Sequence, residues 1–198
     1  MTNPLDLLSL FSAVTGTLED NKTALNKADA YNGDHGDNMV NIFKMVTGAV
    51  SDNQSSDVAT QLAAASKLLG GQKSGSAQEY AKGFATAADE FAGGELTADG
   101  VLPLLQAMFG GGAKPQADSS LQGLLGGFLG GGDGKLDAGD LLSAGMSFFS
   151  AKNQGKNTQE ALIQAVIAQS AFGESPHRAQ SSNLVAGTIF DIIGSLGK

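Results

Sequence analysis

One short stretch, Asp29–Met39, concentrates most of the side chains in this sequence that could carry out chemistry. Besides a histidine, His35, it contains three carboxylates and two glycines, namely Asp29, Asp34, Asp37, Gly33 and Gly36. Carboxylate oxygens are the ligands that Mg²⁺ and Ca²⁺ prefer, and glycines permit the tight turn that brings such ligands together. The alternative is an ordinary polar turn, because Asp, Asn and Gly are also common turn residues for local reasons. The residues alone leave both interpretations open.

A second candidate is the glycine-rich turn Gly70–Ser76, which precedes a segment with helical spacing. Backbone N–H groups at the start of a helix attract anions, and glycines let a phosphate approach them closely. The turn lacks the spacing of a Walker motif, and no strand leads into it. It therefore indicates either a phosphate contact or a plain helix cap.

Two later loops complete the set of candidates. The segment Gly131–Asp140 resembles the second half of a calcium-binding loop, but Leu129 and Gly131 stand where the first carboxylates belong, so calcium is not expected there. The pair His177-Arg178 lies before the final apolar segment. An arginine in that position can bind a phosphate as a forked donor, or it is a simple surface residue.

Composition limits the kind of partner this protein can have. The chain has 198 residues, a formal net charge of −8 and no cysteine. An acidic surface argues against nucleic acid, whose phosphates require lysine and arginine, and the absence of cysteine excludes thiolate chemistry and disulfides. No apolar run reaches the length of a membrane span, and the N-terminus does not read as a signal peptide. We therefore expect a cytoplasmic protein with no membrane partner.

The elements that must position these residues are helices. Apolar residues recur at spacings of three and four, and alternation is nearly absent. Helices are predicted over about 4–16, 18–28, 39–50, 58–69, 80–91, 97–108, 121–128, 141–149, 157–172 and 184–193. Asn3 is expected to cap the first, Gly16 to end it, and Asp37 or Asn38 to cap the third. Residues 110–118 form a linker but no domain boundary, so the prediction is a single all-α domain, residues 1–198, with about eight to ten helices.

The acidic stretch resembles a signature of a known family. Its pattern is Leu25-x3-Asp29-x3-Gly33-Asp34-His35-Gly36-x-Asn38-Met39, similar to that of the nucleotide-binding (L-type) domain of dihydroxyacetone kinases. Shorter similarities follow in the same order along the chain, at Gly70-Gly71, Ser74-Gly75, Leu136-Asp137-Ala138 and Arg178-Ala179. Only the first of these motifs is specific, but together they cover most of the chain.

The resemblance implies a fold and a set of site residues. The fold of the family is a closed barrel of eight antiparallel helices that binds ATP or ADP at one end, with Mg²⁺ ions bridging aspartates and phosphates. By resemblance the metal ligands are Asp29 and Asp34, with Asp37 as a substitute for a third aspartate that this shorter loop lacks. The implied nucleotide contacts are His35, Asn38, Ser74, Gly75 and Arg178.

Two hypotheses from different functional classes follow. The first is a kinase-like subunit that binds Mg-adenine nucleotide and transfers a phosphoryl group to a small hydroxylated substrate. The sugar-binding domain of the complete kinases is not in this chain, so that substrate would be held by a partner subunit. The second is a non-catalytic helical module that keeps the fold, has lost the metals, and acts structurally or by binding a partner. The missing aspartate and an absent Asp-Pro-Gly-Ala segment favour the second hypothesis, and the retained Gly-Asp-His-Gly and Ser-Gly motifs favour the first.

Overall fold

The computed structural model describes residues 5–110 and 158–196, and these two ranges contain helices and no strands. In chain order the elements are α1 (Leu7–Ala28), α2 (His35–Asp52), α3 (Val58–Gly70), α4 (Gly75–Glu90), a 3-10 turn (Ala98–Gly100), α5 (Val101–Phe109), α6 (Thr158–Gln169) and α7 (Pro176–Leu196). The all-α prediction is confirmed for this part of the chain.

The described helices pack in a ring. Each of them contacts the next described helix, from α1 through to α7, and α7 packs in turn along α1. The N-terminal ends of α2, α4 and α7 are brought close together by contacts between the residues that begin them. This arrangement places the acidic stretch, the glycine-rich turn and the His177-Arg178 pair near one another.

The ring encloses an apolar core with an aromatic centre. Tyr80 of α4 is fully buried, and its ring centroid lies 5.1 Å from that of Phe43 and 4.7 Å from that of Phe172. Phe109 packs edge-on against Phe172, with centroids 5.3 Å apart. Edge-to-face pairs of this kind stabilise a core beyond the area that they bury. The aromatic residues thus tie α2, α4, α5 and the segment before α7 into one unit.

The prediction that Gly16 ends the first helix is wrong. Residues Leu7 to Ala28 form one continuous helix, α1, which also contains the second predicted segment. A glycine inside a helix costs only about 1 kcal/mol relative to alanine. That cost is outweighed by the burial of an apolar stripe on both sides of Gly16, made of Leu7, Leu10, Phe11, Val14, Leu18 and Leu25. The start of α1 is capped by Asp6, whose carboxylate accepts the N–H groups of Leu8 and Ser9.

The starts of α2 and α7 also differ from the prediction. Helix α2 begins at His35, so Asp37 and Asn38 lie inside its first turn and do not cap it. Helix α7 begins at Pro176, so His177 and Arg178 belong to a helix and not to a loop. Proline is favoured in the first turn of a helix because its missing N–H would have no partner there anyway. Periodicity gave no sign of either early start, because the first residues of both helices are mostly polar.

Several predictions fall outside the described residues. They are the cap at Asn3, the helices over 121–128 and 141–149, most of the 110–118 linker, the Gly131–Asp140 loop and the Leu136-Asp137-Ala138 motif. Among the helices that are described, none is both long and apolar enough to cross a bilayer.

Candidate functional site

The loop between α1 and α2 fixes one carboxylate towards the interior. Asp29 follows the last residue of α1, and its Oδ1 accepts the backbone N–H of Tyr31 at 3.0 Å. Gly33 adopts a φ of 68°, a left-handed conformation that favours glycine, and so lets the chain turn back into α2. Asp29 is only 8% exposed, whereas the Tyr31 ring is 99% exposed. The loop therefore directs a carboxylate inwards and an aromatic ring into solvent.

Asn26 of α1 organises the start of α2 by capping it from outside. Its Oδ1 accepts the backbone N–H groups of Gly36 and Asp37 at 2.7 and 3.2 Å. Its Nδ2 donates to the Asp37 carboxylate at 2.7 Å, and that carboxylate also pairs with Lys22 at 3.0 Å. A Cβ atom at position 36 would overlap the carbonyl oxygen of Lys22, so only glycine permits this approach of α2 to α1. Through these contacts, Asp37 of α2 stabilises the packing of α2 against α1.

The two histidines of the sequence meet at the start of α7. The ring centroids of His35 and His177 lie 4.6 Å apart in an edge-to-face arrangement. His35 Nε2 lies 2.9 Å from the Ser181 hydroxyl, which donates its proton to the carbonyl of Arg178, so the Ser181 oxygen is left to accept from His35. We refer to Asp29, His35, Ser175, His177 and Ser181 as the histidine cluster.

His177 connects two further members of the histidine cluster. Its Nδ1 lies 3.8 Å from Asp29 Oδ1, and its Nε2 lies 3.2 Å from the Ser175 hydroxyl. Ser175 immediately precedes α7, and its carbonyl accepts the first helical hydrogen bond from the N–H of Ala179 at 3.0 Å. The cluster therefore joins the α1–α2 loop to the first turns of α2 and α7.

Burial and local charges set the protonation of the cluster. The hydrogen bond from the Tyr31 N–H is the main factor that lowers the pKa of Asp29, and nearby His177 and His35 lower it further against the effect of burial. Burial lowers the pKa of His35 to about 4, aided by His177 and Arg178 and opposed by Asp29. At neutral pH the cluster thus contains an ionised carboxylate and an uncharged His35.

Arg178 brings the start of α7 against the start of α4. Its Nη2 would lie 3.3 Å from a Cβ atom at Gly75, so this glycine leaves room for the guanidinium. Within the part of the chain that the structure describes, the guanidinium has only weak partners: the Ala171 carbonyl at 3.4 Å and the exposed carboxylate of Glu174 at 3.7 Å. Such long or solvent-screened contacts contribute little. Arg178, whose guanidinium can donate strong hydrogen bonds to a phosphate, therefore lies beside the N-terminus of α4, a helix of sixteen residues.

The structure brings together some of the predicted site residues and separates others. Asp29, His35, Gly75 and Arg178 lie in or beside the histidine cluster. Ser74 precedes α4, and its hydroxyl accepts the N–H of Ala77 at 3.4 Å, which matches the plain-cap alternative as well as a phosphate contact.

The remaining aspartates do not assemble with Asp29 into a ready-made metal cage. Asp34 Oδ1 accepts a hydrogen bond from Asn38 Nδ2 at 2.6 Å, and Asp37 is held by Lys22 and Asn26. Within residues 5–110 and 158–196, no three His, Asp or Glu side chains are grouped closely enough to hold a metal ion. The Asp34 main chain nevertheless lies beside the Asp29 carboxylate, where its N–H also lowers the pKa of Asp29.

From the sequence, His177 was a candidate without a role, and Asn26, Ser175 and Ser181 were not candidates at all. A contact such as His35–Ser181 joins residues 146 positions apart, so no local pattern could have indicated it. Comparisons of the chain with protein-family models, with curated proteins and with solved structures found no match. The geometry of the histidine cluster and of Arg178 is therefore the basis for a functional assignment.

Proposed function

We propose that this protein binds an adenine nucleotide, ATP or ADP, together with Mg²⁺, at the end of the helical ring where α4 and α7 begin. The nucleotide serves phosphoryl transfer to a small hydroxylated substrate held by a separate subunit. The proposal includes the closed barrel of about eight antiparallel helices that the resemblance to the kinase family implies. It also includes the cytoplasmic location expected from the sequence.

The observation that carries this proposal is the position of the Arg178 guanidinium beside Gly75 at the N-terminus of α4. Phosphates bind well at the first turn of a helix, where N–H groups without helical partners point outwards. An arginine adds a forked, permanently charged donor. The Ser74 hydroxyl lies at the same turn, and His35 and Asn38 line the neighbouring start of α2. Arg178, the Ser74 hydroxyl and the first N–H groups of α4 supply the donors that the phosphates of the nucleotide require, whereas His35 already donates to Ser181.

The metal part of the proposal depends on Asp29. Mg²⁺ is commonly held by one or two carboxylates and completes its shell with water and the phosphates of its nucleotide. The ionised Asp29 suits such an ion, and Asp34 is the second proposed ligand because its main chain lies next to the Asp29 carboxylate. Asp37 already pairs with Lys22 and accepts from Asn26, so a metal ion at Asp37 would compete with a cation for the same carboxylate. The residues therefore fit an ion that arrives with the nucleotide better than a preformed two-metal cage.

The second candidate function is a non-catalytic module that binds a partner or has a structural role. It is favoured by the internal contacts of Asp37 and His35, which already stabilise the packing of α1, α2 and α7. A module of this kind would retain the histidine cluster as a structural clamp and would have no affinity for nucleotides.

Calorimetric titration with ADP, with and without Mg²⁺, distinguishes the two functions. We expect binding that is tighter with Mg²⁺, and we expect Arg178→Ala to weaken it by about 1.5–3 kcal/mol, the usual worth of a charged hydrogen bond. That loss corresponds to roughly a 10- to 150-fold rise in Kd. The matched control is Lys82→Ala, which removes an exposed cation of α4 that pairs with Glu79. If ADP does not bind at millimolar concentration with or without Mg²⁺, the module is the better account.

A further inference from the structure

Ser175, His177 and Asp29 form a hydroxyl–imidazole–carboxylate chain. His177 Nε2 lies 3.2 Å from Ser175 Oγ, and His177 Nδ1 lies 3.8 Å from Asp29 Oδ1. A carboxylate on the Nδ1 side favours the tautomer with its proton on Nδ1, which leaves the lone pair of Nε2 directed at the serine hydroxyl. The 3.8 Å separation is electrostatic contact and not a hydrogen bond. Distances of this kind often shorten only when a substrate is bound.

The carboxylate of this chain is held in place independently of His177. The N–H of Tyr31 donates to the same Oδ1 atom at 3.0 Å, and Asp29 is buried. A carboxylate offers several lone pairs on two oxygens, so Asp29 can orient His177 and still contact a metal ion. The imidazole is further confined by His35, which packs edge-on against it. His177 is therefore held so that its Nε2 faces Ser175.

Ser175 lies where a phosphoryl group would be well accommodated. It precedes α7, a helix of 21 residues, and Arg178 is in the first turn of that helix. A phosphate on a serine at a helix N-terminus gains from the helix dipole and from a nearby arginine. Arg178 is also the residue that approaches the N-terminus of α4, the proposed phosphate site. The phosphate that is transferred and the serine hydroxyl that accepts it would thus both lie near Arg178.

We propose that Ser175 is a phosphoryl acceptor within this chain and that His177 is its general base, an inference that rests on the proposed nucleotide function. The oxygen of Ser175 attacks the γ-phosphorus of a nucleoside triphosphate held at Arg178 and Gly75. The Ser175 Oγ–Pγ bond forms while the bond from Pγ to the β-phosphate oxygen breaks. The hydroxyl proton moves to His177 Nε2, and nucleoside diphosphate leaves. The product is a phosphoserine at the start of α7.

The test is incubation of the full chain with ATP and Mg²⁺, followed by intact mass measurement and peptide mapping. We expect the mass of one phosphate group to be added and to map to Ser175. Ser175→Asn removes the hydroxyl but keeps a good helix cap, so it should abolish the labelling without unfolding α7. Ser175→Thr restores a hydroxyl and should restore labelling. The matched control is Ser195→Ala, since Ser195 is an exposed serine near the other end of α7 and should be dispensable.

The role of His177 has a readout of its own. His177→Ala should slow the labelling by about 10²- to 10⁴-fold, the usual contribution of a general base, and added imidazole should recover part of the rate. A slow variant that imidazole does not rescue would reduce His177 to a structural residue and overturn its role as base.

The outcomes separate this inference from the proposed function. If the wild-type chain binds Mg-ADP but ATP leaves it unlabelled, or labels another residue, the acceptor role of Ser175 is overturned while nucleotide binding stands. If calorimetry detects no adenine nucleotide binding at all, both proposals fail together.

Discussion

The buried His35 should make this protein lose stability in mild acid. His35 is 5% exposed, and its Nε2 is hydrogen-bonded to Ser181 at 2.9 Å. Burial lowers its pKa from 6.5 to about 4. In the unfolded chain the imidazole regains an ordinary pKa. Between these two values the unfolded state binds a proton that the folded state does not.

The sign and size of the effect follow from this difference. Because the unfolded state holds more protons between about pH 6.5 and pH 4, the free energy of unfolding rises with pH in that window. The contribution of His35 is intact above pH 6.5 and is lost as the pH falls towards 4. Each unit of pKa difference corresponds to 1.36 kcal/mol, so the full loss is about 3 kcal/mol. Carboxylates with lowered pKa, such as Asp29, titrate below this window and add their own loss only in stronger acid.

The assay is denaturant unfolding at a series of pH values for the wild type and for His35→Gln. We expect the wild type to lose about 3 kcal/mol more than the variant between pH 7.5 and pH 4. An NMR titration of the His35 imidazole should show a midpoint well below that of an exposed histidine. Equal pH dependence in the two proteins, or a midpoint near 6.5, would refute the claim that His35 is buried and uncharged.

Two further changes probe the loop and its metal. Gly36→Ala forces a Cβ against the Lys22 carbonyl, so chemical denaturation should report a loss of about 1–3 kcal/mol. Gly48→Ala on the same helix, α2, meets no atom within 4 Å and should be neutral or stabilising by up to about 1 kcal/mol. Asp29→Asn should remove the effect of Mg²⁺ on the Kd of ADP, whereas Asp37→Asn should leave that effect in place, because Asp37 is held by Lys22. The Kd of ADP with and without Mg²⁺ is measured by calorimetry for each variant.

Contrary results would be equally informative. A Gly36→Ala variant as stable as wild type would mean that α1 and α2 do not approach each other as closely as described. Loss of the Mg²⁺ effect in Asp37→Asn would assign the metal to the exposed side of the loop, away from the histidine cluster.

The fold class could be predicted because the buried face of each helix appears in the sequence as apolar residues three and four positions apart. Apolar spacing correctly indicated helices in the described part of the chain, including the stripe of α2 through Met39, Ile42, Phe43 and Val46. The predicted break at Gly16 was wrong because it rested on the low helix propensity of glycine. The burial of the apolar stripe of α1 outweighs that propensity. Helix starts were misplaced at α2 and α7 because the first turns of both helices are polar. The start of α2 is in addition capped through a tertiary contact, by Asn26 of α1.

The candidate site could be predicted only in part. Residue types drew attention to the stretch with Asp29 and His35 and to Arg178, and the resemblance to the kinase family assigned these residues and Gly75 to a site. Sequence could not show that Asp37 is engaged by Lys22, since that partner lies on a different helix. Nor could it indicate that the Ser181 hydroxyl contacts His35, because serines are frequent and this contact depends on how α7 lies against α2.

The most direct test of the central claim is an amide NMR titration of the full chain with Mg-ADP. Binding at the start of α4 and α7 predicts the largest shift changes at Ser74–Ala77, at Ser175–Ala179 and in the loop from Asp29 to Gly36. The same titration of Arg178→Ala should need a much higher ADP concentration to reach half of those changes. Spectra that do not change at millimolar Mg-ADP, or changes confined to other residues, would contradict a nucleotide site at this end of the helical ring.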